Sequence, residues 1–214
     1  NTVDPSGTII SHIPYHRIVH SVVYPAAEII QPGVIQHHEG DRFPVGEPDN
    51  TSSERINKVS RVFSEAGFRS PVLQDTRGEI WLKLLGNLSF NPISALTHAT
   101  VIEMLAFSET RALIETMMAE GQAVANKLGV TIRLPIERRI SGAEKLGEHK
   151  MSMLQDTESG KALEIDALVG AVAEIGQHIG IPTPCIQTLF CVTKLLEKKM
   201  LSTHSCVQLT PKTQ

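Results

Sequence analysis

The chain has 214 residues, 41% of them hydrophobic and 20% charged, with a formal net charge of −3. This is ordinary for a globular protein with a real core, and it gives no electrostatic reason to expect nucleic acid or an anionic membrane as partner. No apolar run reaches the roughly 18 residues of a membrane helix. The polar start, Asn1 to Ser11, has no charged-then-apolar pattern, so it does not read as a signal peptide; without an initiating Met, it reads as a segment of something longer.

Short strands are predicted from Ile18 to Gly46, where Ile18, Val19, Val22 and Val23 are β-branched. The run from Gly33 to Gly40 reads as a strand bounded by turns. Asp41 to Gly46 reads as its neighbour, with Pro44 favouring an edge. Ser53 is placed to cap a helix with Ile56, Val59, Val62 and Phe63 at helical spacing, ended by Gly67. Val72 and Leu73 suggest one more short strand.

Beyond residue 75 the pattern is helical. Thr76 to about Leu105 is apolar-rich, and Pro92 is expected to break or kink it. Ser108 is expected to cap a helix carrying Leu113, Met117, Gly121, Val124 and Leu128, closed by Gly129. A third helix is predicted from about Pro135 to Glu148. A fourth is predicted from Gly160 to Ile179, stopped by Gly180, Pro182 and Pro184, and a fifth from Cys185 to Leu201. The tail beyond Ser202 is expected to fray. The fold class is therefore mainly α: a truncated α/β Rossmann remnant over 1–75, a helical domain over 76–203 and a tail over 204–214.

Within Trp81 to Pro92, Lys83, Asn87 and Asn91 stand at i, i+4 and i+8, one polar stripe opposite Leu84, Leu85 and Leu88. Asparagine disfavours helices, so two of them one turn apart suggest a polar ligand on that face. A lysine there can steady developing negative charge or give a proton. A solvated helix face with a Glu79–Lys83 ion pair explains the same spacing. A second stretch holds Ser152 and Asp156, of loop or cap type, and then Glu164. That acid either complements a helix dipole or accepts a hydrogen bond from a substrate hydroxyl.

The nine histidines show no metal-binding spacing, and no metal site is expected. Cys185, Cys191 and Cys206, an odd set without C-x-x-C spacing, read as free thiols in a reducing compartment, hence the cytoplasm. No G-x-G-x-x-G or P-loop pattern occurs, so the cofactor-binding residues are unknown.

The ordered set Lys83…Asn87…Asn91-Pro92, Ser152-Met153…Asp156, Leu163-Glu164-Ile165-Asp166 and Gly180-Ile181…Pro184 resembles the ketopantoate reductase family over roughly residues 15 to 200. The resemblance implies a helical C-terminal domain, similar to that of 6-phosphogluconate dehydrogenases, preceded by the late strands of an NADP-binding Rossmann domain. It implies NADPH-dependent reduction of 2-dehydropantoate to pantoate in pantothenate and coenzyme A biosynthesis, or of a related 2-oxoacid. Lys83 is then the general acid, and Asn87, Asn91, Ser152 and Glu164 hold the substrate. The family's glycine-rich turn has no counterpart here, so this chain alone is expected to bind NADPH weakly or not at all. Its leucine-rich helices suit packing between subunits, and a homodimer is expected; a helical dimerisation module without catalysis is the alternative.

Overall fold

The structure is a computed structural model that describes residues 11–145 and 147–209. The reading made for Asn1 to Ser11 lies outside this range except for Ser11, as do the last five residues of the tail. The chain divides into two compact units, the first reaching Ile80 and the second beginning at Trp81.

In the first unit, β1 (His20–Ser21) pairs antiparallel with β4 (Val45–Gly46), while β2 (Ala26–Gln31) and β3 (Val34–Glu39) form a separate hairpin. The run ending at Gly46 is therefore not the neighbour of β3, as its position in sequence suggested. The turn at Pro32-Gly33 brings β2 onto β3 first. Leu73 donates its N–H to the Val45 carbonyl at 2.7 Å, within single parallel bridges rather than a full strand. Helix α1 (Glu54–Glu65) starts as predicted, with Ser53 Oγ accepting the Ile56 N–H at 3.0 Å. Ile56 is fully buried and Phe43, Phe63 and Phe68 cluster, with ring centroids 4.9–6.3 Å apart, but Val62 remains exposed.

Helix α2 (Thr76–Thr97) continues past Pro92 instead of breaking there. Proline removes only one helical hydrogen bond. The residues around it, Phe90, Ile93 and Ala95, are buried, and that packing holds the helix. The helix stops instead at His98, which adopts a left-handed φ of 58°. Thr100 then forms a capping box with Glu103 to start α3 (Val101–Ala106). Helix α4 (Ser108–Lys127) is entered from Phe107 without a side-chain cap; the Ser108 hydroxyl bonds Glu109 and does not cap the helix. Gly121 of α4 lets α2 come close: a Cβ there would stand 2.7 Å from Leu85 Cδ2.

Helix α5 (Ile136–Glu144) is shorter than predicted. The predicted fourth helix, Gly160 to Ile179, starts later than expected, and another helix precedes it. An unforeseen α6 (Ser152–Ser159) ends at Gly160, which is left-handed at φ 66°. A π turn (Asp166–Gly170) then leads into α7 (Ala171–Ile179). Polar residues along Ser152–Ser159 hid α6, although Met153, Leu154 and Thr157 are buried. Helix α8 (Pro184–Thr203) closes the bundle. Two described residues beyond it are tied back to α6: Val207 donates its N–H to the Thr157 carbonyl at 3.2 Å, and Gln208 Nε2 to that of Glu158 at 2.8 Å. One apolar cluster, including Trp81, Leu84, Leu88, Met117, Val124, Ile165 and Ile186, forms the core of the second unit. No described helix is long and apolar enough to cross a membrane.

Candidate active site

Helix α2 presents Lys83, Asn87 and Asn91 along one side, and that side is not a solvated surface. Lys83 and Asn87 are half-buried, and Asn91 is only 1% exposed. Glu79 does not serve Lys83 as a surface partner. Its Oε1 accepts from Tyr24 Oη and Arg42 Nη1, both at 2.8 Å. That pairing, with burial as the larger cause, pushes the Tyr24 phenol up to about 12. The Asn91 Oδ1 is buried without a hydrogen-bond partner. An orphaned acceptor costs about 1–3 kcal/mol, so a partner supplied by a ligand would relieve a real penalty.

Glu164 approaches this stripe from the segment between α6 and the π turn. Burial holds the Lys83 ammonium below the ordinary lysine range, and the Glu164 carboxylate opposes that shift. The two groups therefore lie within electrostatic reach of each other, while Glu164 stays exposed for other partners. The same carboxylate acts on Asp156, whose carboxyl is raised mainly by burial, with Lys161 opposing and Glu164 adding. Ser152 is exposed at the first position of α6, one turn before Asp156, and among the described residues no hydrogen bond joins it to the other four.

Two further residues, one beside α2 and one beside the Glu164 segment, escaped the sequence reading. Arg139 of α5 lies against Gly86, its Nη2 3.0 Å from where a Cβ would stand. On α8, Glu197 is buried and accepts the Leu163 N–H at 2.8 Å. The only signal for it in sequence was a Lys194-Glu197 spacing that reads as a surface ion pair.

Among the described residues no group of His, Cys, Asp and Glu is placed to hold a metal ion. Among the described residues, the N-terminus of α1 is not a pyrophosphate cradle either. The N-terminus of α1, the helix that follows the strands, is filled by Ser53 and by the Glu47 carboxylate that Ser53 and Arg55 bind. Glu47 is 3% exposed and held below the usual carboxylate range, chiefly by Arg55, so an Arg55-paired carboxylate stands where a phosphate would need amides and a glycine turn.

The helical unit thus carries a lysine–asparagine stripe on α2 with an acid, Glu164, within electrostatic reach of the lysine. Residues 75–197 match the family model described as ketopantoate reductase PanE/ApbA C terminal, and the chain belongs to that family. It is 50% identical over 196 residues to a 2-dehydropantoate 2-reductase of Mesorhizobium japonicum, covering 92% of this chain and 60% of that protein. A solved chain from Ralstonia solanacearum MolK2, a candidate ketopantoate reductase, is 37% identical with a TM-score of 0.85, covering 92% of this chain and 60% of that one. The fold alone is shared with D-mandelate dehydrogenase solved with NADH and anilino(oxo)acetate, at 20% identity and a TM-score of 0.83, over 94% of this chain and 67% of that one. The chain thus spans about 60% of the length of its most similar relatives reported above.

Proposed function

We propose that the protein carrying this chain reduces 2-dehydropantoate to pantoate with NADPH, and that this chain supplies the acid and the substrate clamp. The observation that carries the reading is the half-buried Lys83 on a stripe with Asn87 and Asn91, within electrostatic reach of Glu164. Reduction of a ketone builds negative charge on its oxygen. An ammonium in a partly desolvated site stabilises that charge and gives the proton, the more readily because burial has weakened its hold on it. Lys83 is the general acid in this reading. Asn87, Asn91 and Ser152 orient the 2-oxoacid by hydrogen bonds, and Glu164 accepts one from the substrate hydroxyl. Asn91 is suited to this role by its unpartnered Oδ1, which an N–H or O–H on a ligand or an ordered water could satisfy. NADPH supplies the reducing equivalents when bound; the groups that would grip its phosphates are not among the residues described above.

The membership and the 50% identical relative favour 2-dehydropantoate over other 2-oxoacids. Following NADPH consumption by the full-length protein with a panel of 2-oxoacids tests this. The expected outcome is preference for 2-dehydropantoate and a loss of about a hundredfold or more in kcat for Lys83→Ala. Equal rates for both proteins with every acid offered would defeat the proposal.

We also propose a homodimer, supported by the exposed Val192 and Leu195 on one side of α8, to be checked by mass in solution. A cytoplasmic location is proposed with it; the three cysteines are free thiols, as that compartment favours.

A further inference from the structure

Helix α8 holds a charged group that the proposed chemistry does not use. Glu197 is 4% exposed, and a carboxylate is rarely so deeply buried without a partner. Its Oε1 accepts the Leu163 backbone N–H at 2.8 Å, and its Oε2 accepts from Lys194 Nζ at 2.5 Å. The same ammonium reaches across to Asp166 Oδ2, also at 2.5 Å. Leu163 and Asp166 flank Glu164, one residue before it and two after. Both ends of the short segment that carries Glu164 are therefore tied to a single turn of α8.

The segment needs such ties. Immediately beyond it the backbone makes a π turn, in which the Ala171 N–H bonds the Asp166 carbonyl. Such insertions are uncommon and recur at functional sites. Simple satisfaction of the Leu163 amide is the ordinary explanation of Glu197, but a neutral glutamine oxygen would do that without burying a charge. What the charge adds is the ammonium bridge to Asp166, which is 64% exposed at its side chain and gains little as a plain surface pair.

We infer that Glu197 and Lys194 form a positioning clamp for Glu164, fixing where its carboxylate stands beside Lys83 and so setting the affinity for a substrate hydroxyl. The inference rests on the reading of Glu164 given above. Glu197 and Lys194 act through the segment they hold and need not touch the substrate.

The test is steady-state kinetics of the full-length protein with 2-dehydropantoate and with trimethylpyruvate, the analogue in which the hydroxyl is replaced by hydrogen. Glu197→Gln should raise KM for 2-dehydropantoate about tenfold with kcat within about twofold, as loss of an orienting partner does. KM for trimethylpyruvate should stay unchanged. Combining Glu197→Gln with Glu164→Gln should add nothing to the effect of Glu164→Gln alone, because the two changes act on one interaction. Lys194→Arg should retain most of the wild-type KM. Should Glu197→Gln fail to fold, Asp166→Asn removes the same bridge from the exposed end and must show the same hydroxyl-dependent rise. The clamp is overturned if Glu164→Gln raises KM while Glu197→Gln and Asp166→Asn leave it unchanged, or raise it equally for both substrates. Failure of the underlying reading looks different: Glu164→Gln itself then leaves KM for 2-dehydropantoate at the wild-type value.

Discussion

Lys83 costs the fold something that its proposed role recovers. Its ammonium is half-buried and its pKa lies below the ordinary 10.5, burial being the main cause. Between the folded value and 10.5 the unfolded chain binds the proton more tightly, so stability rises with pH in that window; below the folded value the whole penalty is present. Lys83→Met should therefore raise Tm near neutral pH, by about 2–4 °C for each 1 kcal/mol relieved in a chain of this size, while lowering kcat about a hundredfold or more. Thermal unfolding followed by circular dichroism measures it. The same lowered pKa fixes the sign of the pH–rate profile. Reduction should decline as pH rises through the Lys83 pKa, with the alkaline limb below 10.5, and the limb should be absent from residual activity of Lys83→Met. Asn91 offers a parallel case. Replacing it by Leu removes an orphaned buried acceptor, so Asn91→Leu should unfold no earlier than wild type while KM for the 2-oxoacid rises by about tenfold or more.

Two contacts of α4 tie the helical unit together, one against α2 and one at the start of α8. Gly121→Val of α4 would force atoms into Leu85 and Leu88 of α2. The gain in helix propensity is under 1 kcal/mol, whereas overpacking typically costs about 1–3 kcal/mol, so the variant should lose stability in denaturant unfolding. Glu120, also on α4, accepts the N–H groups of Cys185 and Ile186, both at 3.0 Å, and so caps α8, whose own Thr183 makes no side-chain cap bond. Glu120→Ala should cost about 1–2 kcal/mol, the range for a lost cap.

At this scale the sequence was legible where one local signal dominated. The Ser53 cap, the stripe on α2 and the stop at Gly180 all depend on neighbours in the chain. It was not legible where packing overrode a local rule. Pro92 stays inside α2 because the surrounding core holds it, and α6 was hidden because only three of its eight residues are buried. For the site, helical periodicity could align Lys83, Asn87 and Asn91, but nothing in it could bring Glu164 toward them or show that Glu197 is buried. Those depend on which helices meet.

For the whole molecule, the chain joins a helical unit with the proposed reductase site to a strand-rich unit without a phosphate cradle among its described residues. The α1 N-terminus is already satisfied by Ser53 and Glu47, so this chain by itself should show no appreciable heat on titration with NADPH. The claim on which the rest depends is that Lys83 is the proton donor of a 2-oxoacid reduction. The most direct test is kcat for Lys83→Ala against wild type in the full-length protein, with 2-dehydropantoate and NADPH at saturation. A fall of about a hundredfold or more, with the fold intact by circular dichroism, is the predicted result. An unchanged kcat would contradict it.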